Sequence, residues 1–293
     1  MAADGGVKRQ EMPVLKRQDK GSIVAEAQHL LNRMGAILDP DGDFGPGTES
    51  AVREIQAAHG MAPTGIIDAV TWQTLFQLPE PSPDVPSRAV AFIGREEVGS
   101  RSRYDKQGFR PTWPGGASGV TIGVGYDLGY QSSFEADWSN LLSANQISAL
   151  KKWVGVQGEL ASGGPGTLAA IAIPWSAAWN VFIRRTLPDQ VGATRKAIVK
   201  TSAMSPLCFG VLVSLVYNRG ASMTDSRTNP GNRQEMRDIR DAVAAGRLAD
   251  IPAALRSMKR LWPVGNGLRD RREREALLFE EGLASSGNNP GVR

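Results

Sequence analysis

Histidine and cysteine are nearly missing from this chain of 293 residues. Its one cysteine, Cys208, rules out an intrachain disulfide. Cys208 stands in the apolar run "LCFGVLVSLVYN", where a small buried hydrophobe is expected rather than a nucleophile. The two histidines are His29 and His59, and no histidine occurs from residue 80 onward. That removes the usual base of Ser-His-Asp and Cys-His catalysis. It also removes the imidazole ligands that zinc hydrolases use. Two histidines alone make a poor metal site, so His29 and His59 read as helix-surface or core residues, and no metal or cofactor is expected. An enzyme built on the larger part of the chain would work with carboxylates.

Long apolar runs are absent too. None reaches the ~18 residues that a membrane span requires, so no membrane partner is expected. The opening "MAADGGVKRQEMPVLKRQDKG" lacks the apolar middle of a secretory signal. Synthesis in the cytoplasm is therefore expected, with any action outside the cell depending on another route of release. The hydrophobic content of 41% and charged content of 22% are ordinary for a globular protein. A monomer is expected. The net charge of +4 is uneven: residues 1–79 carry 7 basic and 10 acidic side chains (−3), the remainder 27 and 20 (+7). A basic second part suits an anionic polymer, but no basic-aromatic motif accompanies it, and nucleic acid is not expected as a partner.

Proline and glycine divide the chain. "LPEPSPDVPSR", residues 78–88, has four prolines and reads as a stiff linker. The expected organisation is a flexible start at 1–20, a small domain at 21–78, a linker at 79–87, a larger domain at 88–284 and a flexible tail at 285–293. Within the small domain "DGDFGPGT" (41–48) and "TGIIDAVT" (64–71) repeat one pattern. Each has a glycine, an apolar residue two later and a threonine six later. Apolar periodicity after each threonine, and around Ile23, Ala27, Leu30 and Leu31 before them, predicts three short helices. Thr48 and Thr71 are the expected N-caps, and Phe44 and Trp72 read as core.

In the larger domain "SRAVAFIGREEVGS" predicts a helix ending around Gly99, with Glu96 and Glu97 in its last turn. A helix C-terminus disfavours negative charge, which suits a carboxyl group that must hold a proton; two solvated surface glutamates are the plainer alternative. "GVTIGVGYDLG" (119–129) alternates apolar Val120, Ile122, Val124 and Tyr126 with Thr121, Gly123, Gly125 and Asp127, and so predicts a strand. One face of it is bare, which admits a group close to the backbone. Thr121 and Asp127 would lie ~20 Å apart if fully extended, and closer if the glycines bend the chain. The glycine spacing does not fit a phosphate-binding loop.

Two resemblances follow from these residues. "VAEAQHLLNRMG", "DGDFGPGTESAVREIQAAHG" and "TGIIDAVTWQTL" together resemble the type 1 peptidoglycan-binding domain, a three-helix module, over Gly21 to Leu78. The chain departs from it at Ile55, where the family carries an aromatic. The resemblance implies bacterial peptidoglycan as the partner. Glu97, "TIGVGYD", "LVSLVYNRG" (212–220) and "RSMKRLWPVGNGLRDRREREALLF" (256–279) resemble the phage-type lysozyme superfamily, in its pesticin-like branch. This implies an α+β, mainly α, lysozyme-like domain with a small β-hairpin. It implies a muramidase of the endolysin type, cleaving the β-1,4 bond between N-acetylmuramic acid and N-acetylglucosamine, with inversion favoured.

The same resemblance implies Glu97 as general acid, completed by Thr121 and Asp127. Glu96 and Asp105 stay open as alternatives to Glu97 and Asp127. Tyr126 and Gly123 are implied near the substrate. Tyr217 and Asn218, in "VYNRG", either line the cleft or form a helix C-cap with a core aromatic. "RRERE" reads as a solvated helix face with i,i+4 pairs, and Trp113, Trp175 and Trp262 as core or rim. A catalytically inactive or toxin-like wall-binding protein and a lytic transglycosylase are the competing functions.

Overall fold

A computed structural model describes residues 12–287, and the chain divides into two compact units, Met1–Glu80 and Pro81–Arg293. Both are mainly helical, and the named strands form a single two-stranded sheet among the described residues. No described helix is long and apolar enough to cross a membrane.

The first unit is built on three helices, α1 (Ser22–Asn32), α2 (Pro46–Ala58) and α3 (Ala69–Gln77), around Val24, Leu31, Phe44, Val52, Ile67 and Trp72. The sequence repeat is a structural repeat. Gln28 Nε2 donates to Thr48 Oγ1 (3.1 Å) and the Asp43 carbonyl (3.0 Å), while its Oε1 accepts from Gly42 N (2.9 Å). Gln56 does the same with Thr71 Oγ1 (3.1 Å), the Ile66 carbonyl (2.8 Å) and Gly65 N (2.9 Å). Gly42 and Gly65 both adopt positive φ, +74° and +77°, which glycine takes without steric cost.

Two expectations are corrected here. Thr48 and Thr71 are not N-caps. They lie inside the first turns of α2 and α3, buried, with hydroxyls that the two glutamines need as acceptors. The caps are Gly45 and Asp68, and Asp68 accepts from Thr71 N at 2.8 Å. Nor is residue 21 the start of the fold. Leu15 is buried and exchanges backbone hydrogen bonds with Ile67 (3.0 and 2.8 Å). Of the expected flexible ends, 1–20 and 285–293, residues 1–11 and 288–293 lie outside the described residues, and 285–287 continue the helix that starts at Gly267.

In the second unit, residues expected to be linker are packed. Val85 is buried, and Asp84 accepts from Arg195 at 2.7 Å. Helix α4 (Ser87–Val98) buries Ala89 through Gly94. It lies against the Pro206–Arg219 helix, whose residues Cys208 to Val216 are all buried. A Cβ on Gly210 would stand 2.4 Å from the Ala89 Cβ, so this glycine sets how closely the two helices pack. Cys208 is core as expected, 1% exposed, and burial pushes its thiol up.

The glycine-rich stretch folds differently from the expected single strand. It is a tight hairpin of β1 (Thr121–Ile122) and β2 (Tyr126–Asp127), paired Thr121 to Asp127 and Ile122 to Tyr126. Gly123 and Gly125 turn it with φ of +59° and +68°. The alternation survives the turn: Val120, Ile122, Val124 and Tyr126 are buried, while the other face is open or half-buried.

Candidate active site

A cleft of about 1100 Å³ opens in the second unit. One wall is the C-terminal end of α4 with Glu96 and Glu97, a second is the glycine turn with Thr121, and a third is the start of the Gly267–Gly287 helix with Arg271 and Arg274. Each wall has a local cause. Gly99 ends α4 with φ +84° and releases the chain directly after the two glutamates. At the turn, a Cβ on Gly123 would approach Ala178 and Trp138 at 3.2 Å, and one on Gly125 would sit 2.7 Å from the Tyr217 hydroxyl. The floor is bare because side chains behind it leave no room.

Glu97, Thr121 and Gly123, with the alternative Glu96, thus line one cleft, and Asp127, Tyr126, Tyr217 and Asn218 do not. Asp127 Oδ1 accepts from Gly119 N (2.9 Å) and Gly129 N (2.9 Å), and its Oδ2 from Gly119 N (3.1 Å), so it clamps the base of the hairpin. Directly paired residues of an antiparallel ladder lie about 5 Å apart at Cα, which places this charge next to Thr121. Asp105, the alternative to Asp127, is exposed and paired with Arg101 at 3.2 Å. Tyr126 is buried and donates to Asp137 at 2.7 Å; burial first, then that hydrogen bond, raises its hydroxyl above the ordinary tyrosine value. Tyr217 donates to the Val124 carbonyl at 2.7 Å and props the turn from behind. Its hydroxyl is held well above the usual range by desolvation and then by the charge of Glu97. Asn218 accepts from Arg272 at 3.1 Å.

The two glutamates are held unequally. Arg274 takes both oxygens of Glu96 (2.6 and 2.9 Å). Arg271 donates to Glu97 Oε1 alone (2.8 Å), and Oε2 has no protein hydrogen bond among the described residues. The expected solvated face of "RRERE" is overturned at both its ends, while Glu273 is half-buried and Arg274 exposed. Arg271, Arg272 and Glu275 are buried, Arg272 and Glu275 completely. Glu275 Oε1 accepts from Ser214 (2.7 Å), Arg272 (3.0 Å) and Arg271 (3.3 Å). Burial pushes the Glu275 carboxyl up, against the pull of Arg272 and Arg271. The arginine partners of the cleft glutamates were not singled out from sequence. The available signal was the run of charges leading directly into apolar "ALLF", which places part of the run on a buried face.

Of the tryptophans, Trp175 is buried; Trp113 and Trp262 are half-buried, Trp262 beneath the guanidinium of Arg219 at 5.2 Å. His29 is half-buried and His59 exposed. Among the described residues no three His, Cys, Asp or Glu side chains group so as to hold a metal ion.

Residues 20–75 match the family model described as a putative peptidoglycan binding domain. Seventy-three residues are 38% identical to an uncharacterized protein of the bpoA1 3′ region of Kitasatospora aureofaciens, covering 24% of this chain and 61% of that protein. Forty-four residues are 46% identical to the zinc D-Ala-D-Ala carboxypeptidase of Streptomyces albus G, covering 15% of this chain and 17% of that enzyme. The matches therefore span less than two thirds of either relative. A peptidoglycan-binding domain is thus found at residues 20–75, within the first unit.

Proposed function

We propose that the second unit is an N-acetylmuramidase acting on the wall that the first unit binds. The observation that carries this reading is the state of Glu97. One oxygen is pinned by Arg271, the other has no hydrogen-bond partner among the described residues, and the residue lines the same cleft of about 1100 Å³ as Thr121 and the turn glycines. Glycoside hydrolysis requires a carboxyl group to protonate the leaving oxygen and a second group to act on the opposite face of the sugar. Glu97 Oε2 is the proton donor. Thr121 holds the attacking water, and Asp127 supplies fixed negative charge beside it while anchoring its strand. Glu96 has both oxygens occupied by Arg274 and serves as a wall of the cleft. With water on the far face the product anomer is inverted. A lytic role on the wall after release from the cytoplasm fits the same set. The carboxypeptidase activity of the Streptomyces relative is not carried over, since residues 80–293 contain no histidine to supply the imidazole ligands of a zinc hydrolase.

The test is reducing-end analysis of digested peptidoglycan. Free N-acetylmuramic acid ends support the proposal. Anhydro ends would instead mean a lytic transglycosylase, and free N-acetylglucosamine ends a glucosaminidase. Glu97→Gln should lower lysis by about 100-fold or more, the scale of a lost general acid, and leave wall binding intact. Glu96→Gln should retain lysis. A fully active Glu97→Gln variant would sink the assignment, and no clearing of wall fragments by the wild type would leave a binding protein.

A further inference from the structure

The charges lining the cleft do not balance. Arg103, Arg271 and Arg274 face two carboxylates, Glu96 and Glu97, which leaves one guanidinium over; Arg95, which also lines the cleft, is itself partnered. Arg271 and Arg274 are engaged by the glutamates. Arg103 is exposed, and its guanidinium makes no ion pair or hydrogen bond with the protein among the described residues. The side chain is nonetheless placed. A Cβ on Gly99 would stand 2.9 Å from Arg103 Cδ and 3.2 Å from Nη1, so the stem lies against the glycine that ends α4, two residues past Glu97. The absent side chain at Gly99 is what lets this arginine sit at the mouth of the cleft.

A glycan strand gives such a cleft nothing to neutralise. The sugars of peptidoglycan are uncharged once muramic acid is amide-linked to its peptide, and the anionic groups are the carboxylates of that stem peptide. A guanidinium presents two parallel N–H donors that match a planar carboxylate. We propose that Arg103 binds a free carboxylate of the stem peptide and makes the enzyme prefer wall whose peptide carboxylates are not amidated. The proposal rests on the muramidase reading and adds to it the class of wall that is cut.

The experiment uses the full-length protein and purified walls stripped of phosphate polymers, measuring the initial rate of reducing-end release. Three substrates are compared: wall with free stem-peptide carboxylates, the same wall chemically amidated, and glycan freed of its peptides with the exposed lactyl carboxyls then amidated. Wild type should cut the free-carboxylate wall about tenfold faster than the amidated wall, the scale of one charge-assisted hydrogen bond. Arg103→Gln should cut both at the slower rate and leave the rate on peptide-free glycan unchanged. Arg103→Lys should fall between, keeping charge but losing the fork. The first unit is identical in all variants, so its own affinity for amidated wall cancels. A preference that persists in Arg103→Gln overturns the proposal, as does an equal loss on all three substrates. A wild-type preference that appears only on unstripped walls assigns Arg103 to phosphate and overturns it as well. No reducing ends from any substrate overturns the muramidase reading and this proposal together, a result distinct from the others.

Discussion

Gly125 shows how much of the site hangs on one missing side chain. Its φ of +68° suits glycine, and any Cβ there would lie 2.7 Å from the Tyr217 hydroxyl. Gly125→Ala combines left-handed strain, about 1–3 kcal/mol for a non-glycine residue, with a collision that displaces either the turn or Tyr217. A stability loss of about 2–3 kcal/mol is expected from chemical denaturation. Introduced into a Tyr217→Phe background, the same change should cost less, because the colliding oxygen is gone. Additive costs in that double-mutant cycle would show that the contact is immaterial. The glycines were legible in the sequence as a bare face. What made the face bare was not, because Tyr217 arrives from a helix 92 residues further along the chain.

At the scale of elements, the Gly267–Gly287 helix departs most from its sequence reading. Charges at i, i+3 and i+4 look solvated when helix periodicity alone is considered. Here they cross onto the face packed against the Pro206–Arg219 helix, and Arg271, Arg272 and Glu275 form a closed ionic cluster with Ser214. Removing one member of a buried ion cluster leaves an uncompensated charge and costs about 3–5 kcal/mol. Glu275→Ala should therefore destabilise the second unit by that amount in a urea melt. Pairing Glu275→Leu with Arg272→Met should restore most of it, since Arg271 keeps Glu97 as a partner. If the double variant is as unstable as the single, the cost comes from packing and not from charge. The three short helices were readable because each buries one apolar stripe, and α4 from the helical spacing of Val90 and Ile93, although it is buried all round from Ala89 to Gly94. The hairpin was readable as β structure but not as two strands, since alternation continues through a turn that preserves the facing of the side chains.

For the whole molecule, the two units should respond differently to alkali. All four tyrosines lie in the second unit. Burial raises Tyr104, with Asp105 adding to it, and burial with the Asp137 hydrogen bond raises Tyr126. Such groups keep their protons longer in the folded than in the unfolded chain. Their stabilising contribution is whole below the ordinary tyrosine value of 10.0 and is lost as pH rises beyond it. Thermal melts of the full chain above pH 10 should show the transition of the second unit falling more steeply than that of the first. Tyr126→Phe should flatten that fall. Parallel decline of both transitions would count against burial of these hydroxyls as the cause.

The sequence by itself determined the helical class, the repeat of the first unit, and the separate placing of a glutamate at a helix end and of a glycine-rich β segment. All three follow from local periodicity and turn chemistry, which are written into short stretches of chain. Tertiary structure alone decided which carboxylate has a free oxygen, which arginines hold the other three, and that Asp127 clamps the hairpin instead of lining the cleft. Those outcomes depend on contacts between residues up to 178 positions apart, such as Glu96 with Arg274. Spacing along the chain carries no information about a partner brought in by folding.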